Sequence, residues 1–236
     1  MKTTTYSGRL LMHSLALLLL VGTVGSLGVI RGGAASPRNR SATPAASHSS
    51  PTSATSAGHG IRLTVSSGTS AGYRAREQSF FGGATDVVGT TTAVTGSIVL
   101  DAQGRIVAAK STFVIDLRTL KSDQPENDQF IQENTLQTAQ YPQAVFRVER
   151  AVDLPSVLPT SGTIRGSLVG NLTLHGVTRS TTWTGTATLG RRTVTVVATT
   201  PVTLTTLNMS PPQVGPVSVD DVITLDINAR LTRTTL

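Results

Sequence analysis

The chain predicts an all-β domain, an antiparallel barrel or sandwich of short strands with one short helix. Three observations carry this. From Ile61 onward, apolar and polar residues alternate at a period of two over run after run, the pattern of strands with one buried face. The runs are short, evenly spaced and bounded by glycine or proline turns, with no helical stretches of the kind that parallel crossovers require. Threonine, valine and glycine are abundant, a mix that favours strands and turns over helices.

Taken in order, residues 1–35 read as a secretory leader or an N-terminal membrane anchor. Lys2 and Arg9 precede an apolar run from Leu10 to Ile30, long for a leader and close to the roughly 20 residues that span a bilayer. Gly33-Ala34-Ala35-Ser36 supplies small residues suited to cleavage. Either reading makes the remainder exported, in the cell envelope or secreted. Residues 36–60 are rich in serine, alanine, proline and threonine, and such a segment predicts a disordered linker. The domain is expected over residues 61–236.

Its expected strands begin with Ile61, Leu63 and Val65 on one face, then Tyr73 to Phe81. Val94 to Leu100 leads into Asp101-Ala-Gln-Gly104, a hairpin loop with glycine where a left-handed residue is wanted. Ile106 to Leu117 is the expected return strand. Lys121 to Gln140 turns polar, with Phe130, Ile131 and Leu136 at near-helical spacing, and predicts a loop and short helix crossing one end of the sheet. Strands follow over 143–152, 163–174, 177–189, 193–204 and 219–231. Leu168, Gly170, Leu172 and Leu174 alternate cleanly before His175-Gly176, so 163–174 and 177–189 read as a hairpin. The prolines of 208–216 bar that loop from a central strand.

Composition excludes several classes. There are no cysteines, hence no disulfide framework, thiolate metal site or cysteine-linked lipid. The net charge of +7 raises the question of nucleic acid. However, Lys2, Arg9, Arg31, Arg38 and Arg40 lie ahead of the domain with no acid among them. Nucleic-acid readers concentrate charge on the folded domain, so no nucleic-acid partner is expected.

Three segments in this order and spacing resemble the YceI-like family, the lipocalin-like polyisoprenoid-binding proteins. They are Phe113-Val-Ile-Asp-Leu-Arg-Thr-Leu120 with Asn127-Asp128 and Leu136, then Tyr141-Pro142-Gln-Ala-Val-Phe146, then Gly170-Asn-Leu-Thr-Leu-His-Gly-Val-Thr-Arg179. The resemblance spans about Ile61 to Leu231. It implies an eight-stranded antiparallel lipocalin-like barrel whose elongated apolar interior holds a long-chain isoprenoid lipid or quinone. The family-motif residues are Asp128, Tyr141, Pro142, Phe146, His175, Gly176 and Thr178. The chain departs from the pattern between Tyr73 and Gly96, where the family's histidine-serine pair is missing, and at Asn127, where arginine is usual.

No catalytic residue is expected. His175 at a strand end reads as a hydrogen-bonded turn residue, since a catalytic base would need a nucleophile and an orienting acid. A zinc site would need three or four ligands, more than one histidine and no cysteine can supply. Asp123, Glu126 and Asp128 lack the spacing of a calcium loop. The expected site is instead a barrel wall. By strand parity, Phe113, Ile115, Leu117, Leu168, Leu172, Leu174, Ile223, Leu225 and Ile227 face inward, although lining a tunnel and filling a core look identical in sequence. The expectation is an exported, non-enzymatic carrier of an isoprenoid or quinone-type lipid, with the polar head near Lys121–Tyr141 and the membrane reached through the N-terminal segment. The alternative is a ligand-free surface β-domain on a stalk. The oligomeric state stays open, a dimer among the options.

Overall fold

The computed structural model describes residues 59–236, except residues 81, 123, 124 and 156 and the side chain of Glu126. The leader and the linker expected over 1–58 lie outside the described residues, as do Phe81 and Asp123. The described residues belong to one compact unit, and the following concerns it alone.

The strands are β1 (Ile61–Val65), β2 (Ser70–Ser79), β3 (Gly83–Thr91), β4 (Val94–Leu100), β5 (Thr112–Asp116) and β6 (Lys121–Ser122). After helix α1 (Pro125–Phe130) come β7 (Gln143–Val152), β8 (Gly162–Leu174), β9 (Val177–Leu189) and β10 (Thr193–Thr203). β11 (Gln213–Val214), β12 (Val217–Val219) and β13 (Val222–Thr235) complete the chain. Each long strand pairs antiparallel with the next, in the order β1, β4, β5, β7, β8, β9, β10, β13, and β13 returns to β1. The result is a closed barrel of eight strands. Closure leaves none of the eight with a free edge, which removes the commonest route to edge-to-edge aggregation.

The first two strands behave as one interrupted strand. β1 pairs with the C-terminal half of β13, Val65 opposite Leu231, and β2 pairs with its N-terminal half, Ser70 opposite Asn228. The residues between, 66–69, bulge out of the ladder while β13 runs straight past. Thr69 spans the gap: its buried hydroxyl accepts from Arg230 N–H at 2.9 Å and lies 3.1 Å from the Arg230 carbonyl. Ser66 donates to the same carbonyl through its backbone N–H at 2.8 Å. Every β13 backbone group left over by the bulge at Arg230 is thereby satisfied, as a buried backbone demands. β3 and β4 are likewise nearly continuous, facing β2 and β1 respectively.

The interior follows strand parity. Leu63, Ile98, Phe113, Phe146, Val148, Leu172, Leu174, Val194, Ala229 and Leu231 belong to one buried cluster. At the β8–β9 hairpin, His175 (φ 50°) and Gly176 (φ 73°) are the two central residues between Leu174 and its partner Val177. Two successive left-handed residues make a turn whose twist suits an antiparallel pair. Asp101–Gly104 forms the expected loop, with Gly104 at φ 76° and its N–H on the Asp101 carbonyl at 2.9 Å.

Three expectations need correction. β3 was not foreseen. Gly83, Ala84, Thr85 and Asp86 are all exposed, so no apolar alternation marks that half of the strand. The return strand expected over Ile106–Leu117 is mostly not a strand. Ile106 makes a lone bridge to Leu100, Ala108–Lys110 form a 3₁₀ turn, and only Thr112–Asp116 pair as β5. Ser111 causes the break: its fully buried hydroxyl donates to the Val107 carbonyl at 2.9 Å and accepts from Val99 N–H at 3.0 Å, replacing ladder bonds. Finally, the last strand runs over Val222–Thr235 rather than 219–231, and Val217–Val219 pairs separately with β2. The break falls at Asp220-Asp221, where Asp221 accepts from Thr205 N–H at 2.9 Å and from the Thr205 hydroxyl at 2.6 Å.

Thr69→Val keeps the side-chain shape and deletes the hydroxyl that joins the bulge to β13. Stability is expected to fall by about 1–3 kcal/mol, the cost of a buried backbone group left without a partner. Urea unfolding should show a lower midpoint with an unchanged slope.

Candidate functional site

The barrel has two dissimilar ends. At one end lie α1, the β8–β9 hairpin and the segment between β10 and β13. At the other lie the β4–β5 loop, the β7–β8 loop and the β9–β10 turn. A cavity of about 470 Å³ occupies this second end. Leu63, Ile98, Leu100, Leu154, Leu158, Ile164, Leu168, Val194, Val196 and Leu231 supply its apolar wall. Gln103, Arg105, Glu149, Arg150, Ser167 and Thr186 are its polar lining.

Small residues line the space. Gly166, Gly185, Ala187, Ala198 and Ala151 all face this cavity, on strands that elsewhere point leucine, phenylalanine or tryptophan inward. Leu154, from the loop after β7, fills the place a side chain at Gly166 would take, its Cδ2 lying 2.4 Å from an ideal Cβ there. Arg233 fixes the same loop from outside, donating to the carbonyls of Pro159 at 2.7 Å and Leu158 at 3.2 Å. Asp101 organises the facing loop: its carboxylate accepts from the N–H groups of Gln103 and Arg105, each at 2.9 Å, and from Arg105 Nε at 2.9 Å.

Trp183 lines the cavity and packs against Phe146, ring centroids 5.7 Å apart. Among the described residues its buried indole N–H has no acceptor, and neither does the buried Thr181 hydroxyl two residues earlier on the inward side of β9 have a partner. An unpartnered buried polar group costs about 1–3 kcal/mol, so a ligand oxygen or a water within reach would be stabilised there.

Of the nine wall residues read from parity, Leu168 lines this cavity. Phe113, Leu117, Leu172, Leu174 and Ile223 are buried in the packed cluster, and Ile115, Leu225 and Ile227 pack against it half-buried. Parity identified which face turns inward; it carried no information on where along the barrel the interior is left open. The signal that would have found the cavity is the run of small inward residues on β8, β9 and β10.

The motif residues gather at the opposite end and hold it together. The Tyr141 ring lies 4.4 Å from the His175 ring and covers Gly176, where a Cβ would meet Tyr141 Cε1 at 2.8 Å. His175 Nε2 is 3.2 Å from Gln137 Oε1, which makes it a hydrogen-bonded turn residue with an amide partner. The Pro142 carbonyl accepts from Leu117 N–H at 2.9 Å, and Asp128 accepts from Ser122 N–H at 2.7 Å. Thr178 and Thr173 pair through their hydroxyls at 2.8 Å, and Phe146 stands opposite Phe113 and Leu172. Asp128 and the segment Lys121–Tyr141 therefore lie at the end remote from the cavity. Gln103, Arg105 and Arg150 border the cavity.

A closed, antiparallel, up-and-down barrel of eight strands with an apolar cavity at one end is a lipocalin-like barrel. The chain belongs to the YceI-like family, since residues 61–231 match the model of the YceI-like domain. Its fold is that of a polyisoprenoid-binding domain from Saccharophagus degradans implicated in plant cell wall breakdown: TM-score 0.54 at 13% identity, covering 74% of this chain and 98% of that one. Burkholderia cenocepacia BcnA is similar too, with TM-score 0.51 at 15% identity over 69% of this chain and 95% of that chain. No curated protein matches the chain.

Hydrogen bonding, chiefly from the Arg105 backbone N–H, holds the Asp101 carboxyl below the usual carboxylate range. A carboxyl lowered on folding stabilises the folded loop above the ordinary carboxylate pKa, and that contribution is lost as pH falls through the lowered value. Asp101→Ala is expected to speed amide hydrogen exchange at Gln103 and Arg105 at neutral pH, leaving exchange on β8 and β9 unchanged. Acidification of the parent protein through the lowered value should likewise reduce the protection of these two amides relative to their intrinsic exchange rates.

Proposed function

We propose that this protein is an exported, non-enzymatic lipid carrier that encloses the chain of an isoprenoid or quinone-type lipid in its barrel. The cavity carries the reading. Its volume lies within the range of small-molecule sites, roughly 300–1,000 Å³, and like them it joins an apolar wall to a few polar groups. A polyprenyl chain offers apolar surface and almost no hydrogen-bonding demand, so its burial against Leu63, Ile98, Ile164, Leu168 and Val196 stabilises it at roughly 25 cal/mol per Å². The Saccharophagus domain is named for polyisoprenoid binding, and family membership extends that reading to this chain. The unpartnered Trp183 N–H favours a ligand bearing an oxygen, such as a quinone carbonyl. Export rests on the apolar run of Leu10 to Ile30, whose retention as an anchor or removal as a leader would leave the barrel outside the cytoplasm in either case.

Ala187 faces the cavity from β9, opposite Ile164 and Val196. Ala187→Phe puts a ring into the open space. Native mass spectrometry of the protein purified from a membrane-containing host, with solvent extraction of the same sample, should show a stoichiometric isoprenoid or quinone adduct. The variant should retain about tenfold less or lower still, the scale of an overpacking clash, with an unchanged melting temperature. A parent protein that stays ligand-free after incubation with polyprenyl lipids would refute the proposal.

A further inference from the structure

The fold sorts charge along the barrel axis. Around the cavity mouth stand Arg62, Arg105, Arg150, Arg165, Arg191 and Arg192, all exposed. The acids at that end are Asp101, Glu149 and Asp153. Two of these are engaged, Asp101 by Arg105 at 2.9 Å and Glu149 by the Asn171 amide at 2.6 Å. The opposite end reverses the balance, with Asp86, Asp116, Asp128, Glu133, Asp220 and Asp221. Its cations are Arg74 and Arg76, which share Asp86, Arg118, which pairs with Asp116 at 2.6 Å, and Lys121 and Arg179. A domain with little net charge is therefore cationic at one end and anionic at the other.

The cationic end is also where the apolar features open outward. The cavity reaches the surface there, and the β7–β8 loop presents Pro155, Val157 and Pro159, with Val157 73% exposed. The chain enters the barrel at the same end, because Ile61 pairs with Leu100 and Thr235. The far end exposes Phe80 and Val222, but its carboxylates would be repelled by an anionic surface. We infer that the cavity-mouth end is a docking surface for anionic phospholipid bilayers, with the arginine ring on the headgroups and the Val157 loop at the acyl boundary. Arginine at an anionic bilayer attracts over a Debye length and fades with salt. An exposed apolar tip encircled by arginines fits a lipid interface; a nucleic acid would have no use for it. Docked so, the barrel places its opening directly against the lipid phase. This orientation stands whatever the cavity holds.

The test is co-sedimentation of residues 53–236, which contain the complete barrel ladder, with vesicles of phosphatidylcholine alone or mixed with phosphatidylglycerol. Binding is expected to the mixed vesicles only, and to be lost at high salt. Each arginine near such a surface contributes roughly a fivefold gain in partition. Reversing Arg62, Arg165, Arg191 and Arg192 to glutamate should thus lower partition by about a hundredfold or more. Arg179→Glu, which changes net charge at the far end, should alter it by less than about twofold. None of these residues lines the cavity, so retention of a bound lipid should be unchanged in all of them, and loss of docking is separable from loss of the ligand. Near-UV circular dichroism reports whether the variants fold. Should the fourfold variant unfold, the salt series and the neutral-vesicle comparison decide on the parent protein. Equal binding to neutral vesicles, salt-insensitive binding, or binding to duplex DNA with none to vesicles would overturn the inference.

Discussion

The structure depends on the return of β13 to the first strand. That ladder converts a seven-hairpin meander into a ring, and a ring tolerates no slip. A one-residue shift anywhere would turn a whole strand's apolar face to solvent and propagate around the circle. The difficulty is geometric. β13 is fourteen residues long and must pair over its length with a strand that bends. The bulge at 66–69 supplies the bend, and the Thr69 hydroxyl, by serving both the N–H and the vicinity of the carbonyl of Arg230, prevents the bend from stranding backbone polar groups inside the wall. Closure also fixes parity, and so places Leu63, Leu231 and Val194 inward together.

Closure alone does not distinguish a filled barrel from a hollow one, because a barrel of this strand number is just wide enough for side chains to fill. The choice is made strand by strand. Near α1 the inward positions carry Phe113, Phe146, Leu172, Leu174, Leu204, Leu207 and Met209, and all are buried. Towards the other end the same strands turn to Gly166, Gly185, Ala187 and Ala198, and the wall recedes into the cavity. Chain connectivity reinforces the difference. The polar segment 121–140 must cross the first end on its way from β5 to β7, whereas the second end has the short turn Gly190-Arg191-Arg192 and the looser β7–β8 loop. One end is secured by hydrogen bonds that Asp128 and the Pro142 carbonyl accept and by the Gln137–His175 contact; the other is bordered by Leu154, Pro155 and Leu158 from one loop and Gln103 to Ile106 from another.

The all-β class and the later hairpins were legible in the chain because their signals are local. Leu168 to Leu174 alternates without interruption, and His175-Gly176 sits where a two-residue turn must be. The same reasoning failed over Ile106–Ser111, where apolar residues alternate as in a strand but the Ser111 hydroxyl captures backbone groups and produces a 3₁₀ turn. It failed over Gly83–Thr91 for the opposite reason, since a strand exposed for half its length need not alternate. The cavity was illegible for a third reason. Its cause is the absence of side-chain volume at positions brought together only by register, and parity counts leucines rather than the spaces between them. The motif residues, read as markers of the family, turn out to occupy the end opposite the described cavity. Tyr141 over the His175-Gly176 turn explains why those residue types are needed together: the ring fills the surface that only a glycine leaves free.

The separation of motif and cavity has a consequence for how the family resemblance bears on ligands. Residues that secure the α1 end and its hairpin constrain the fold, and a change there would be felt as lost stability whatever the barrel contained. The residues that set the cavity's shape, Gly166, Gly185, Ala187 and Ala198, bear on the fold chiefly through their smallness. The two glycines are held small by their neighbours, since a Cβ at Gly185 would meet the Val197 carbonyl at 2.2 Å and one at Gly166 would meet Leu154, so the shape of the cavity can vary chiefly at Ala187 and Ala198. Charge follows the same logic. Exposed arginines and carboxylates sit on outward positions that the ladder leaves free, and totals taken over residues 61–236 average them to near neutrality. Only the alternation of strand direction, which sends Arg62, Arg165 and Arg192 to one end and Asp86, Asp116 and Asp221 to the other, turns that average into a polarity. The barrel thus fixes what must be constant at one end and leaves ligand shape and surface charge to be set at the other.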